Sequence, residues 1–206
     1  YDLAKASVIV SLDCDFVFGE SESAVNARGF ADGRRLKSEK ESVNRLYVVE
    51  SAFTSTGATA DHRICLQVRR IGAFAVQLAQ ALRAKGLAIP SVDGFSSVDL
   101  SDIDSKWVHE LAGELLSNRG RSVVMAGRRL PAAVHALVCA INSALGNTEN
   151  TVTWHAAPDA NVTNAGEFAS LVSAMKSGSI TTLFVLGGNP VYSAPADLGF
   201  VEAYKK

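Results

Sequence analysis

Short runs of β-branched residues alternate along this chain with segments of helical periodicity, and this alternation constrains the fold more than any other feature. The strand candidates are residues 8–12, 45–50, 64–68, 122–126, 152–154 and 182–186. Several of them are apolar throughout, which is typical of strands covered on both faces. The alternation predicts an α/β fold with a doubly wound, Rossmann-like, mostly parallel sheet and helices on both faces.

Four apolar stripes at helical spacing lie between or after these runs. They extend from Ile71 to Leu82, from Trp107 to Leu115, from Val134 to Leu145 and from Phe168 to Met175. Pro131 precedes the third stripe and Gly146 follows it, which is a typical helix start and stop. Asn164 precedes the fourth stripe and Glu167 follows three residues later, so this spacing predicts a capping box. A last helix is expected over residues 197–204.

Residues 87–104 are the best candidate for a linker, because they contain Pro90, Gly94 and several Ser and Asp residues. They divide the chain into two α/β halves, residues 1–100 and 101–206. The chain starts without Met and stops soon after its last helical pattern begins. We therefore expect the two halves to form one fragment of a larger polypeptide.

Composition limits the classes of function. The chain has 206 residues, 48% of them hydrophobic, and 20 Lys and Arg residues balance 21 Asp and Glu residues. Such a chain can bury a full core, but it has no net field to attract nucleic acid or an anionic membrane. No apolar run reaches the ~20 residues that span a bilayer, and no targeting signal is present. We expect no nucleic-acid partner and no direct membrane insertion.

The cysteines and histidines give little indication of a metal site. Cys14, Cys65 and Cys139 are far apart in sequence, and no Cys-x-x-Cys motif occurs. Cys14 is expected to be a buried small hydrophobic residue rather than a nucleophile. His62, which follows Asp61 in a hydroxyl-rich loop, is the only histidine that we retain as a site candidate. No metal ligands are therefore predicted within this chain.

Three loops follow strand candidates and could lie at the carboxyl edge of the sheet, where ligands collect in this fold. The residues that we select from two of them as candidate cofactor-binding residues are Glu50, Ser51, Thr54, Thr56, Gly187, Gly188, Asn189 and Pro190. A carboxylate and hydroxyls could bind the ribose or guanine of a nucleotide, and two glycines let a backbone approach a ligand. The same residues could instead cap a turn, and both interpretations stay open.

The remaining loop has a different character, since Asp13 and Asp15 flank Cys14 directly after the first strand candidate. Two carboxylates at this position would repel the phosphates of an anionic cofactor. Motifs for phosphate binding and for a nucleophilic serine are both absent from the chain. We therefore predict no catalytic residue in this chain.

Several of these segments resemble the molybdopterin oxidoreductase (DMSO reductase) family. Residues 44–51, continued by residues 54–63, resemble the family segment in which a strand ends in Asp-Pro-Arg and leads through Thr-rich sequence to Ala-Asp. Residues 122–127 and 134–147 are similar to a later part of that family, and residues 186–190 match its Gly-Asn-Pro loop. More narrowly, residues 48–58 and 188–198 look like the molybdopterin-like iron–sulfur subunit of alternative complex III.

This narrower resemblance implies a domain of a membrane-bound, quinol-oxidising respiratory complex. In that family the molybdopterin-like region is associated with loss of the molybdenum cofactor, and the iron–sulfur clusters lie in another part of the polypeptide. The resemblance therefore implies a scaffold whose partners are other subunits or domains of the redox complex. It also implies a location peripheral to the bacterial cytoplasmic membrane, on the exported (periplasmic) face.

Two departures from the wider family fall where a guanine dinucleotide would be held. Asp13-Cys14-Asp15-Phe16 replaces the first Gly-x-Asn-Pro loop, and Glu50-Ser51-Ala52 replaces Asp-Pro-Arg. We therefore expect no cofactor in this fragment. The alternative is a cofactor-binding fragment of an active bis-molybdopterin guanine dinucleotide oxidoreductase. A third interpretation is an independent module that binds a small molecule or nucleotide.

Overall fold

Four parallel strands form the sheet in the computed structural model of this chain. They are β1 (Val8–Leu12), β2 (Arg45–Glu50), β3 (His62–Cys65) and β4 (Ser122–Ala126), in the order β3-β2-β1-β4. The chain moves outward from β1 through β2 to β3 and then crosses back, so that β4 pairs with the other side of β1. The strand order thus reverses at β1, and the carboxyl ends of the strands beside such a reversal are the usual ligand crevice of an open α/β sheet.

The structure describes residues 1–36, 38, 42–91, 94, 95, 98–155 and 165–205. The α-helices are α1 (Ser23–Asp32), α2 (Ser55–Ala58), α3 (Val68–Ala84), α4 (Ser105–Ser117), α5 (Ala132–Ala144), α6 (Ala165–Lys176), α7 (Pro190–Ser193) and α8 (Phe200–Tyr204). Short 3-10 turns cover Leu3–Lys5 and Ala196–Leu198. The chain divides into two compact units, Tyr1–Trp154 and His155–Lys206. Strand β4 and helices α4 and α5, which follow residue 100, belong to the first unit together with β1–β3.

Helices cover both faces of the sheet in the first unit. Val8, Val10 and Leu12 of β1 are buried in one cluster with the apolar residues of α3, α4 and α5. On the opposite face, Ile9 is buried with the N-terminal turn and with Phe30 of α1. The alternation of strand side chains between the two clusters follows from the two-residue period of a β-strand. The predicted α/β fold with a parallel sheet is confirmed.

Most of the strands and helices predicted from the sequence are present in the structure. The strands at residues 8–12, 45–50 and 122–126 are confirmed with their predicted bounds. The four helices predicted from apolar stripes are confirmed as α3, α4, α5 and α6. The third strand lies earlier than predicted, at His62–Cys65, because α3 already begins at Val68. Pro131, which precedes the third stripe, is the N-cap of α5. The predicted cap Asn164 lies outside the described residues.

Two strand predictions were wrong. In residues 152–154 only Val152 makes an isolated bridge, to Thr148. Residues 182–186 have irregular backbone. A strand needs a ladder partner, and among the described residues the backbone of residues 182–186 makes no hydrogen bond to another backbone group. Sequence periodicity identified the apolar runs but could not reveal these missing partners.

The second unit is a small helical cluster. Val172, Met175, Phe200 and Ala203 form its buried core between α6 and α8. The rings of Phe168 and Phe200 stack with centroids 5.7 Å apart. No helix in the described parts of the two units has the length and apolar character required to cross a bilayer.

Candidate functional site

The loops that follow β1 and β2 meet at the carboxyl edge of the sheet and form the candidate site. Asp13 directly follows β1, and Ser51 directly follows β2. Asp13 adopts a left-handed backbone conformation with φ of 49°, which is rare for residues other than glycine. This conformation costs roughly 1–3 kcal/mol and persists only where surrounding contacts hold it. The contacts of its side chain supply that constraint.

The Asp13 carboxylate bonds the first residue after β2. Its Oδ1 accepts hydrogen bonds from the backbone N–H and the hydroxyl of Ser51, both at 2.9 Å. Its Oδ2 lies 3.4 Å from a guanidinium nitrogen of Arg129. The side chain is almost completely buried, so these contacts replace solvent around the charge. The Ser51 amide that could face a ligand is therefore already engaged.

Asp15 repeats this arrangement one turn further along the second loop. Its Oδ1 accepts from the backbone N–H of Thr56 at 3.0 Å and from the Thr56 hydroxyl at 2.7 Å. The same hydroxyl accepts from the backbone N–H of Val17 at 3.1 Å, and Thr56 is fully buried. The two loops are therefore joined by a second carboxylate that occupies a second backbone amide.

Glu50 closes the inner side of the loop. It is 1% exposed, and its Oε2 accepts from the Thr54 hydroxyl at 2.6 Å while its Oε1 accepts from Arg63 Nε at 2.6 Å. The Thr54 hydroxyl in turn accepts from the Gly57 N–H at 3.0 Å and caps α2. The Arg63 guanidinium also lies over the ring of Phe53, 4.7 Å from its centroid. Each oxygen of Glu50 thus has an internal partner.

The loop after β4 lies against the loop after β1 at the reversal of strand order. Gly127 donates its N–H to the Leu12 carbonyl at 2.8 Å. A Cβ added at Gly127 would lie 1.8 Å from the backbone oxygen of Asp13, so the two backbones are in direct contact. Only glycine permits this approach. The loops after β1 and β4 are therefore in tight backbone contact at the point where the strand order reverses.

This arrangement does not fit a dinucleotide. Phosphates bind to free backbone N–H groups and to cations at strand ends, but here carboxylates accept from the amides of Ser51 and Thr56. Asp13, Asp15 and Glu50 also bring three acidic side chains to one edge, where Arg129 contacts Asp13 and Arg63 contacts Glu50. The two arginines offset part of the negative charge, and the remaining charge is unfavourable for a bound polyanion. The residues present therefore do not form a cradle for a molybdopterin guanine dinucleotide.

Four of the predicted cofactor-binding residues, Glu50, Ser51, Thr54 and Thr56, do come together at this edge. Their hydrogen bonds run to one another, to Asp13 and Asp15, and to Arg63. These contacts agree with the second of the two interpretations given above, in which the residues cap a turn.

The other four predicted residues belong to the second unit, which is described by itself. Gly187 has a positive φ of 71°, and nothing lies within 4 Å of a Cβ added at Gly187 or Gly188. Asn189 caps the four-residue helix α7 by accepting from the Tyr192 N–H, and Pro190 is the first helical residue. The loop therefore forms a turn and a helix start, as one of the two sequence interpretations proposed.

His62 lies away from the site. It is the first residue of β3 and pairs with Tyr47, whereas Cys65 at the other end of β3 pairs with Glu50. Its ring stacks on the Tyr47 ring with centroids 4.5 Å apart. His62 is therefore at the amino end of the strand, although sequence reasoning had placed it in the hydroxyl-rich loop.

Cys14 is buried, as predicted, in the core beneath α1. Burial raises the pKa of its thiol well above the usual range, and the nearby charges of Glu20, Asp15 and Asp13 raise it further. Since the thiolate is the reactive form, this environment suppresses nucleophilic chemistry.

Sequence reasoning missed three contributors to the site: Arg63, Gly127 and Arg129. Arg63 could have been found from the two-residue period of β3, which directs it to the same side as a polar partner. Gly127, directly after an apolar strand, is a general signal for close backbone approach. Nothing in the sequence pairs Arg129 with Asp13, because the two are brought together only by the crossover to β4.

In the described ranges, no group of three or more His, Cys, Asp or Glu residues is arranged to hold a metal ion. A scan against protein-family profiles found no match for the chain. A search of curated proteins found no match either.

Proposed function

We propose that this chain is a molybdopterin-oxidoreductase-like domain that has lost the molybdenum cofactor and serves as a scaffold in a respiratory electron-transfer complex. The motifs in residues 44–63, 122–147 and 186–198 support this proposal, because they follow the order of that family. The parallel α/β sheet is compatible with it. On this proposal the chain is part of an oxidoreductase but carries no catalytic residue of its own.

One observation supports the proposed loss of the molybdenum cofactor. The carboxylates of Asp13 and Asp15 accept hydrogen bonds from the amides of Ser51 and Thr56, at the strand ends where a relative would hold its dinucleotide. A buried carboxylate that is bonded in this way stabilises the loop it holds and excludes a second anion from the same donors. On this proposal, the hydrogen bonds at the edge hold the loops after β1 and β2 together instead of binding a ligand.

The partners and the location follow from the resemblance and belong to the same proposal. The domain contacts other subunits or domains of a quinol-oxidising complex at the bacterial cytoplasmic membrane. It lies on the exported face as a peripheral part, and iron–sulfur clusters are carried elsewhere in a longer polypeptide. Its own contribution is a stable α/β body that holds neighbouring parts in place.

The alternative, an active molybdopterin enzyme, requires these carboxylates to release their donors. Asp13 would have to lose the two hydrogen bonds that Ser51 donates to it, and Asp15 would have to lose the two that Thr56 donates. Each charge-assisted bond of this kind contributes roughly 1.5–3 kcal/mol, so opening the edge would be costly. No contact of the described residues favours this alternative.

The loss of the cofactor is tested by analysing protein expressed in a cell that makes molybdopterin. We expect molybdenum, measured by mass spectrometry, and pterin, measured by fluorescence after oxidation, to be far below one per chain. A known molybdopterin enzyme purified from the same cells serves as the control for cofactor supply. Near-stoichiometric molybdenum or pterin would refute the proposal.

Membership of a complex is tested separately, on native membranes. After mild detergent extraction and native electrophoresis, we expect an antibody against this chain to label a band of several subunits that oxidises quinol. Labelling that is confined to free protein in the membrane-free fraction would contradict the scaffold role. It would leave the loss of the cofactor as a separate question.

A further inference from the structure

The outer edge of β4 faces away from β1 and contains backbone groups that β1 cannot reach. The Arg121 carbonyl accepts from the Ser7 N–H at 2.6 Å, and the Gly127 N–H donates to the Leu12 carbonyl at 2.8 Å. The backbone groups of successive residues in a strand point to opposite edges, and Val124 lies at odd spacing from both Arg121 and Gly127. The N–H and carbonyl of Val124 therefore point to the outer edge.

Asn142, which lies on α5, bonds both of these groups. Its Oδ1 accepts from the Val124 N–H at 3.0 Å, and its Nδ2 donates to the Val124 carbonyl at 2.7 Å. In a parallel sheet, a residue that faces a neighbouring strand makes one bond of each kind to it. The carboxamide of Asn142 thus takes the place of a strand at this position.

A buried network fixes the orientation of this carboxamide. Asn147 Nδ2 donates to Asn142 Oδ1 at 3.0 Å, and Asn147 Oδ1 accepts from the Ser122 hydroxyl at 3.1 Å. The Thr151 hydroxyl donates to the Ser122 carbonyl at 2.5 Å. All four residues are buried. Rotating the Asn142 carboxamide by half a turn would bring its donor against the N–H of Val124, so the bonds permit one orientation.

These contacts cover a strand that would otherwise be suited to pairing with other chains. Strand β4 has the sequence Ser-Val-Val-Met-Ala, and its apolar side chains at residues 123–125 are buried. An edge strand with unpaired N–H and carbonyl groups is a template for a strand of another molecule, and proteins cover such edges to prevent it. We propose that Asn142 terminates the sheet, so that no strand of another chain can add to the outer edge of β4.

The choice of residue agrees with this role. The other buried residues of α5 are Val134, Leu137, Val138 and Ile141, so Asn142 is the polar exception on the buried side of the helix. An apolar residue at position 142 would leave the N–H and carbonyl of Val124 buried without partners, which is unfavourable. A strand from another molecule would then relieve this cost.

The proposal is independent of the proposed function. It rests on contacts between α5, the turn that follows it and β4, whereas the proposed loss of the cofactor rests on Asp13 and Asp15. The experiments also differ, because one measures association of the chain and the other measures its cofactor content.

Sedimentation velocity of the whole chain over a wide range of concentrations tests the proposal. Asn142→Leu removes both bonds to Val124 while keeping a side chain of similar size. We expect this variant to self-associate at a concentration at least about tenfold lower than the unaltered chain. Hydrogen exchange of the Val124 amide should be faster than in the unaltered chain at low concentration and should slow as the variant associates.

Val138→Ala is the matched control, because Val138 is also buried on α5 but belongs to the apolar core. It weakens the packing of the same helix without freeing a backbone group of β4. Circular dichroism verifies that each variant is folded under the conditions of the comparison. We expect Val138→Ala to associate no more readily than the unaltered chain.

Thr151→Val provides a second, milder variant, because it keeps the shape of the side chain and frees only the Ser122 carbonyl. Its association should begin at a concentration lower by about threefold. If Asn142→Leu does not fold, the result for Thr151→Val decides. Folded variants that associate no more readily than the unaltered chain would overturn the proposal. Equal association of Val138→Ala would overturn it too, since general destabilisation would then be the cause.

Discussion

An apolar run followed by a polar turn occurs both at the carboxyl edge of the sheet and in residues 182–192. The two regions differ in how their polar groups are bonded and buried. After β1 and β2, amides and hydroxyls are bonded to Asp13, Asp15 and Glu50 and are largely buried. After residue 186, Gly187 to Asn189 are exposed, and nothing lies within 4 Å of a Cβ added at Gly187 or Gly188. The comparison shows that ladder partners and covering helices decide whether such a sequence forms a closed joint or an open surface.

The glycines of the two regions give the largest expected contrast. Gly127→Ala would place a Cβ 1.8 Å from the Asp13 backbone oxygen, so the two strand-end loops would have to separate. We expect a loss of unfolding free energy of about 3 kcal/mol or more, the upper range for overpacking. Urea unfolding followed by tryptophan fluorescence measures it in the first unit, which contains Trp107, packed on Tyr47 and Phe74, and the exposed Trp154.

Gly188→Ala is the control, because nothing lies within 4 Å of the added Cβ. Its effect on unfolding measured by circular dichroism should be within ~0.5 kcal/mol. If Gly127→Ala were equally mild, the contact between the loops after β1 and β4 would not be tight, and the account of a closed edge would fail.

The ion pair of Glu50 and Arg63 gives the next largest effect. Arg63→Met leaves a carboxylate that is 1% exposed without its cation, while the bonds from Thr54 remain. Breaking a fully buried pair costs roughly 3–5 kcal/mol, and the partial exposure of Arg63 lowers our expectation to about 2 kcal/mol. Urea unfolding again provides the measurement.

Arg28→Met is the matched variant, because it breaks the exposed pair with Asp32 on α1. Such a surface pair contributes less than ~1 kcal/mol. Equal losses for Arg63→Met and Arg28→Met would mean that Glu50 is solvated, which is inconsistent with a sealed edge.

A hydroxyl deletion gives the smallest contrast. Thr56→Val removes a bond to Asp15 and leaves the N–H of Val17 without its acceptor, at a fully buried position. We expect a loss of about 1–2 kcal/mol in unfolding free energy. Thr182→Val, at an exposed position, should change it by less than ~0.5 kcal/mol. The reverse order of the two variants would contradict the comparison.

The sequence predicted much of the fold, because hydrophobic periodicity reports directly on burial. The stripe from Ile71 to Leu82 became the buried face of α3, and the apolar run at residues 122–126 became β4. Helix α1 was missed, since only Asn26 and Phe30 are buried along its length. The run at residues 182–186 was wrongly predicted as a strand, because an apolar, β-branched composition cannot show whether a strand has a ladder partner.

The candidate site was predicted only in part. Asp13, Asp15, Glu50 and the hydroxyl-rich loop were expected at strand ends, and they lie there. Their mutual bonds were not predictable, because they join residues about 40 positions apart across two loops. The contact of Arg129 with Asp13 spans the whole crossover to β4, and no local pattern indicates it.

The central claim is that the amides of Ser51 and Thr56 at the carboxyl edge are not free to bind an anionic nucleotide. The most direct test is a titration of the whole chain with GDP, in which the backbone amide signals of Ser51 and Thr56 are followed by nuclear magnetic resonance. Because Asp13 and Asp15 already accept from these amides, we predict that neither signal moves as GDP is added. Saturable shifts of both signals would contradict the account, since they would show that the edge opens to a ligand.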